Sequence, residues 1–185
     1  MADHLQEEEQ LEAISLWWRE NRTSVIAVVV LTLGGTIGWS QYEDYTNEKA
    51  VAAANTYDSL LQGRESGESA EEMALISAGL RETHDGGAFA AFASLQVAAA
   101  AVEAGELVLA RDELESVMAT VELDSTLGQL VQLRLARVMA ASGDEATAVA
   151  ILEQGSSSFP ASYAQALGEI HLAAGRESEA LMAYQ

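Results

Sequence analysis

With 185 residues, 29 acidic side chains against nine basic ones and a formal net charge of −20, the chain would be repelled by phosphate backbones, which excludes nucleic-acid binding. One proline, few aromatics and abundant alanine point to helices packed through small side chains. The absence of cysteine permits an oxidising compartment without requiring one.

Residues 1–22 are polar and acidic, with Glu7, Glu8 and Glu9 in a row. Leu11, Ile14 and Trp18 then follow at helical spacing, as in a short amphipathic helix leading to a membrane. From Thr23 to Tyr42 no residue is charged. Twenty helical residues reach about 30 Å, the thickness of a bilayer's hydrocarbon core. Trp17 and Trp18 precede this run, and Trp39, Tyr42 and Tyr45 close it, placing amphipathic rings at both headgroup levels. A cleaved signal peptide would have a shorter apolar core and a small-x-small cleavage site, whereas Gly38-Trp39-Ser40-Gln41 is a poor cleavage context. Residues 23–42 are therefore expected to be a single, uncleaved transmembrane helix. Arg19 and Arg22 on the near side, against Lys49 alone beyond it, point to a cytoplasmic N-terminus. The rest, with 23 acidic and seven basic residues, is then exported, to the periplasm in a Gram-negative host. Within the span Gly34 and Gly38 form a small-xxx-small pair, a candidate membrane helix contact.

Residues 43–87 read as membrane-proximal helices. The first runs to about Leu61 on a stripe of Ala50, Ala53, Ala54, Tyr57, Leu60 and Leu61, with a break over residues 62–69. The second covers Ala70 to Arg81 and is ended by His84-Asp85-Gly86-Gly87. Over residues 88–185 the chain becomes periodic. Gly105, Gly143 and Gly175 are each followed five residues later by alanine (Ala110, Ala148, Ala180) and nine later by a bulky residue (Leu114, Leu152, Tyr184). Seven before each glycine is a small residue (Ala98, Ala136, Gly168), and eight before an apolar one (Val97, Leu135, Leu167). This register describes repeated helix–turn–helix units. Asp124 or Ser125 is the expected N-cap of the helix from Leu127 to Ser142, and Gly155 to Pro160 separates the next pair. The pattern resembles the tetratricopeptide repeat, with Ala101, Met139 and His171 at the usual tyrosine-like position four before the glycine. The expected fold is all-α, one N-terminal transmembrane helix followed by an α-solenoid of antiparallel helix pairs. The last unit stops ten residues past its glycine, so a further C-terminal segment is expected.

Chemistry is sparse. Cysteine nucleophiles, Gly-x-Ser-x-Gly elbows, phosphate-binding glycine loops and paired histidines at ligand spacing are all missing, so no catalytic, cofactor or metal residues are assigned. Glu71-Glu72, Asp112-Glu113 with Glu115, and Asp144-Glu145 read as helix starts or solvated faces. A binding module is the expected role, with weak client contact through Gln96, Ala101, Met139 and His171 on the first helix of each pair.

The order of acidic segment, single span, tyrosine-rich exit helix, Ala93-Ser94-Leu95-Gln96-Val97-Ala98, Leu133-Arg134-Leu135-Ala136-Arg137-Val138 and Gly168-Glu169-Ile170 resembles the YfgM family. The resemblance implies an ancillary subunit of the SecYEG translocon in the Gram-negative inner membrane. Its periplasmic repeats would work with the chaperone PpiD on emerging polypeptides, without enzymatic activity. The alternative is a scaffold subunit of another envelope complex, since helical repeats serve many partners.

Overall fold

A computed structural model describes the backbone of residues 2–83 and 87–185, and the side chains of 14–83 and 87–185. His4, His84 and the acidic run Glu7 to Glu9 thus lie outside the described side chains. Every regular element among the described residues is helical: α1 (Ala2–Ser66), α2 (Ala70–Thr83), α3 (Ala88–Ala104), α4 (Leu107–Met118), α5 (Thr126–Ala141), α6 (Glu145–Leu152), α7 (Pro160–Ala173) and α8 (Glu177–Ala183). They fall into two compact units, residues 1–50 and 51–185, and α1 contributes to both.

In the first unit the uncharged run is helical throughout and long and apolar enough to cross a membrane. Its side chains are exposed, Ile26, Val28, Leu31 and Leu33 among them, as a lipid-facing helix requires. Two hydroxyls inside the run are satisfied locally. Thr32 donates its hydroxyl to the Val28 carbonyl at 2.8 Å, and Thr36 to that of Thr32 at 3.0 Å.

The second unit is a string of helix–turn–helix pairs. Gly105, Gly143 and Gly175 each carry a positive φ (80°, 90° and 73°), a conformation glycine adopts without a Cβ penalty. Around each, two amide groups reach back to the end of the preceding helix. At Gly143 its own N–H meets the Ala140 carbonyl at 3.1 Å, and the Asp144 N–H meets that of Met139 at 2.9 Å. This paired bonding satisfies carbonyls the helix end would leave orphaned. The residue four before each glycine thus carries the carbonyl that fastens the turn.

Gly67 makes the same turn (φ 85°), with the Glu68 N–H bonded to the Gly63 carbonyl at 2.9 Å. The end of α1 and α2 therefore form one more pair, preceding the three read from the sequence. The break is shorter than the expected 62–69 because Gly63 stays helical and only residues 67–69 leave the helix. One extra turn residue, Ser69, and different residue types on both sides of Gly67 hide this pair from the glycine register. Counting from Gly67, Met73 fills the place that Ala110 fills after Gly105, displaced by one. Ser69 and Glu72 close α2 as a capping box: the Ser69 N–H donates to the Glu72 carboxylate at 3.0 Å, and the Glu72 N–H to the Ser69 hydroxyl at 3.3 Å. The hydrogen bonds from the Ser69 backbone and hydroxyl hold the Glu72 carboxyl below its ordinary value.

Packing proceeds from neighbour to neighbour. Ala53, Leu60, Met73, Leu80, Ala93 and Val97 join the end of α1 to α2 and α3. Leu95, Ala98, Leu114, Val117, Val131 and Leu135 join α3, α4 and α5. Leu133, Ala136, Ala148, Leu152, Tyr163 and Ile170 join α5, α6 and α7. Small residues at the crossing points let paired helices approach closely, and Ala110 and Ala148 are fully buried there. Ser125 is the N-cap of α5, accepting from the Gly128 N–H at 3.0 Å, and Pro160 opens α7. At the last pair Tyr184 remains 49% exposed, its ring lying over Gly168.

Glu113 departs from the solvated face expected for it: it is only 5% exposed. Arg81 of α2 holds it, Nη1 to Oε2 at 2.6 Å and Nη2 to Oε1 at 3.2 Å. Ser77, Ser94 and Ser116 complete a polar cluster around the guanidinium. A buried carboxylate persists only with a paired charge and further hydrogen bonds, and this one has both. Asp112 and Glu115 do lie on the exposed face, with Arg111, and Asp144 caps α6 by accepting from the Thr147 N–H.

Candidate functional site

Two adjoining openings lie along one face of the repeat unit. The first, about 320 Å³, runs between α3 and α5 and is lined by Ala98, Val102, Glu103, Leu107, Arg134 and Arg137, among others. The second, about 390 Å³, runs between α5 and α7 past Ala140, Glu145, Glu169, Ile170 and Ala173. Arg137 and Ala141 belong to both, so the two form one groove along the first helices of successive pairs.

Its register follows from helix geometry. Six residues before each turn glycine stand Ala99, Arg137 and Glu169, and two before stand Glu103, Ala141 and Ala173. Residues four apart share a helix face, so these positions present a continuous strip. The strip combines an apolar floor with a few charged heads. Among the described residues, no three histidine, aspartate or glutamate side chains gather closely enough to hold a metal ion.

A family profile described as a tetratricopeptide repeat-like domain matches residues 16–185. Over its whole length the chain is 30% identical to a protein of Aggregatibacter actinomycetemcomitans named ancillary SecYEG translocon subunit, covering 90% of that protein. The chain belongs to this tetratricopeptide repeat-like family of ancillary SecYEG translocon subunits. A Haemophilus influenzae protein of the same name is 29% identical over 95% of the chain and 85% of its own length. One from Escherichia coli K12 is 27% identical over 71% of the chain and 62% of its own length. No solved structure matches the chain. The family match begins at residue 16, so it takes in the apolar helix as well as the repeats.

Within this family fold, three of the four residues expected to meet clients, Ala101, Met139 and His171, lie off the groove strip. Ala101 is wholly buried in the core of α3, α4 and α5, and so has no surface to offer. Met139 packs against two neighbouring cores. His171 accepts from Arg176 Nε at 3.0 Å through its Nδ1. Gln96, seven before Glu103 and on the same helix face, is held by the Arg64 guanidinium. For the other three the reason is angular. At about 100° per residue, the position four before the glycine lies some 200° around the helix from those two and six before it. The first faces the packed interior, the others the groove. A search for exposed residues at the strip offsets would have found Arg137 and Glu169.

Gly34 and Gly38 lie where the apolar helix is exposed all round, and a Cβ added at either would meet no atom within 4 Å. At the opposite margin of the repeats, buried Gln129 ties two loops together. Its amide donates to the Asp124 carbonyl at 2.8 Å and its oxygen accepts from the Ser158 N–H at 2.9 Å. This arrangement ties the first turn of α5 to the loop that leads into α7. Tyr163 adds a buried bond to the Gln129 carbonyl at 2.7 Å, and burial raises its phenol above the ordinary value.

Proposed function

We propose that the protein is a membrane-anchored ancillary subunit of the Sec translocon. It crosses the inner membrane once through residues 23–42, with its N-terminus in the cytoplasm and its repeats in the periplasm. There it acts with a PpiD-type chaperone on polypeptides emerging from the membrane, holding them in the α3–α5–α7 groove without catalysis. The observation that carries this reading is similarity to translocon subunits along the whole chain, apolar helix included. The groove supports it physically. It is open and built largely of alanine and short aliphatic side chains, which gives broad, weak contact and fast release. Tethering raises the local concentration of such a surface near the exit channel, so modest affinity suffices.

Removing residues 1–42 is expected to leave a folded, soluble repeat domain that no longer co-purifies with SecY. A fragment that retains the complex as well as the full chain does would place the contact in the repeats and refute the anchoring argument. Because the chain has no cysteine, Asn47→Cys reports orientation in the same preparation. Labelling of intact spheroplasts by an impermeant maleimide is the expected result, and protection would reverse the topology.

A further inference from the structure

The repeat unit, residues 51–185, holds 20 acidic residues and six arginines, and no lysine. On such a surface an arginine has carboxylates to pair with on every side, and four of the six do so. Arg64 pairs with Glu103, Arg81 with Glu113, Arg111 with Asp112 and Glu115, and Arg176 with Glu145. Arg134 and Arg137 have no ion pair or hydrogen bond among the described residues, and both are exposed. They lie three residues apart on α5, on neighbouring positions of one helix face, and both line the groove's first half.

The groove's own carboxylates are committed elsewhere. Glu103 is engaged by Arg64 at 2.9 Å, Glu145 by Arg176, and Glu169 accepts from the Gln165 amide at 2.7 Å. Two free guanidinium groups are thus left over a floor of Ala98, Val102, Leu107, Leu114, Val138 and Ala141. A guanidinium matches a carboxylate through two parallel hydrogen bonds, and partial removal from water strengthens that pairing.

We infer that the groove takes peptide segments in which apolar side chains flank an aspartate or glutamate, the carboxylate being received by Arg134 and Arg137. This rests on the reading of the α3–α5–α7 groove as the polypeptide-holding surface and specifies what that surface selects. It also runs against bulk electrostatics: a protein of net charge −20 attracts cationic peptides in general, so preference for an anionic one has to come from a local site.

The test is fluorescence anisotropy with the full-length protein in detergent, micelles alone serving as the blank. Three labelled peptides are compared, with leucines alternating with glutamate, glutamine or lysine. The expected order of affinity is glutamate over glutamine over lysine. The double variant Arg134→Gln, Arg137→Gln is expected to weaken the glutamate peptide by about tenfold or more while leaving the glutamine peptide within about twofold. Circular dichroism of the double variant should match the parent, since both side chains are exposed. Lysine binding best, or equal loss for the glutamate and glutamine peptides, overturns the inference. Ala141→Trp, which fills the groove from an exposed position, separates the two levels. If it blocks all peptides while the arginine substitutions do nothing, the groove stands and the carboxylate preference falls. If no peptide binds, both fall.

Discussion

Arg81→Ala is expected to lower the free energy of unfolding by about 3–5 kcal/mol, the cost of leaving a buried carboxylate without its cation. The two partners are not equivalent. The Glu113 side chain is 6% exposed and that of Arg81 30%. Removing the arginine strands a charge that water cannot reach, whereas removing the carboxylate leaves a guanidinium that can turn outward along its aliphatic stem. Glu113→Ala should therefore cost less, about 1–2 kcal/mol. Replacing both, Arg81→Met with Glu113→Leu, should bring stability back to within about 1 kcal/mol of the parent, because an apolar pair of similar volume needs no desolvated charges. Urea unfolding of the three variants in detergent, followed by far-ultraviolet circular dichroism, checks the series. Equal losses in both single variants, or a double variant no better than the worse single one, would show that the cluster contributes through packing rather than charge.

Gly128→Ala is the second large effect, a net loss of about 2 kcal/mol. A Cβ at this position in the first turn of α5 would stand 2.2 Å from the Glu122 carbonyl oxygen and 2.9 Å from the Leu123 Cα. Both obstacles are backbone, and the loop bearing them is pinned. Gln132 donates to the Leu123 carbonyl at 2.8 Å, and the Ser125 N–H to that of Glu122 at 3.1 Å. Overpacking against a fixed neighbour costs about 1–3 kcal/mol, and the better helix propensity of alanine returns up to about 1 kcal/mol. Gly168→Ala provides the contrast. Its Cβ would meet the Tyr184 ring at 2.4 Å, a closeness that looks as severe. That ring is half-exposed near the end of the last helix and can swing aside, so this substitution should be neutral within about 0.5 kcal/mol. Thermal unfolding of the two variants side by side decides whether the nature of the obstacle, rather than its distance, sets the cost.

These same residues show what could be read before the structure. Gly105, Gly143 and Gly175 were legible because a left-handed turn residue has almost no substitute, so the turn writes itself into one residue type at a fixed interval. The apolar run was legible because length and absence of charge are what a bilayer demands. The pair formed by the end of α1 and α2 was not, since a single additional residue displaces α2 by one, and Met73 and Ser77 then stand where the other units carry an alanine and a bulky residue. Glu113 was misplaced by attention to its acidic neighbours. Ala110, Glu113, Leu114 and Val117 stand at i, i+3, i+4 and i+7, the spacing of a buried stripe, and that signal placed the carboxylate inside. The groove was missed for a different reason. Helical spacing says which residues share a face, but only the packing of neighbouring pairs says which face remains uncovered.

The most direct test of the proposed role is a mild-detergent pull-down of the full-length protein, with mass spectrometry of everything retained. Recovery of SecY together with a PpiD-type chaperone, lost when residues 1–42 are removed, is the predicted result. Recovery of a different envelope complex in place of SecY would contradict the translocon assignment and make the chain a scaffold subunit of that complex.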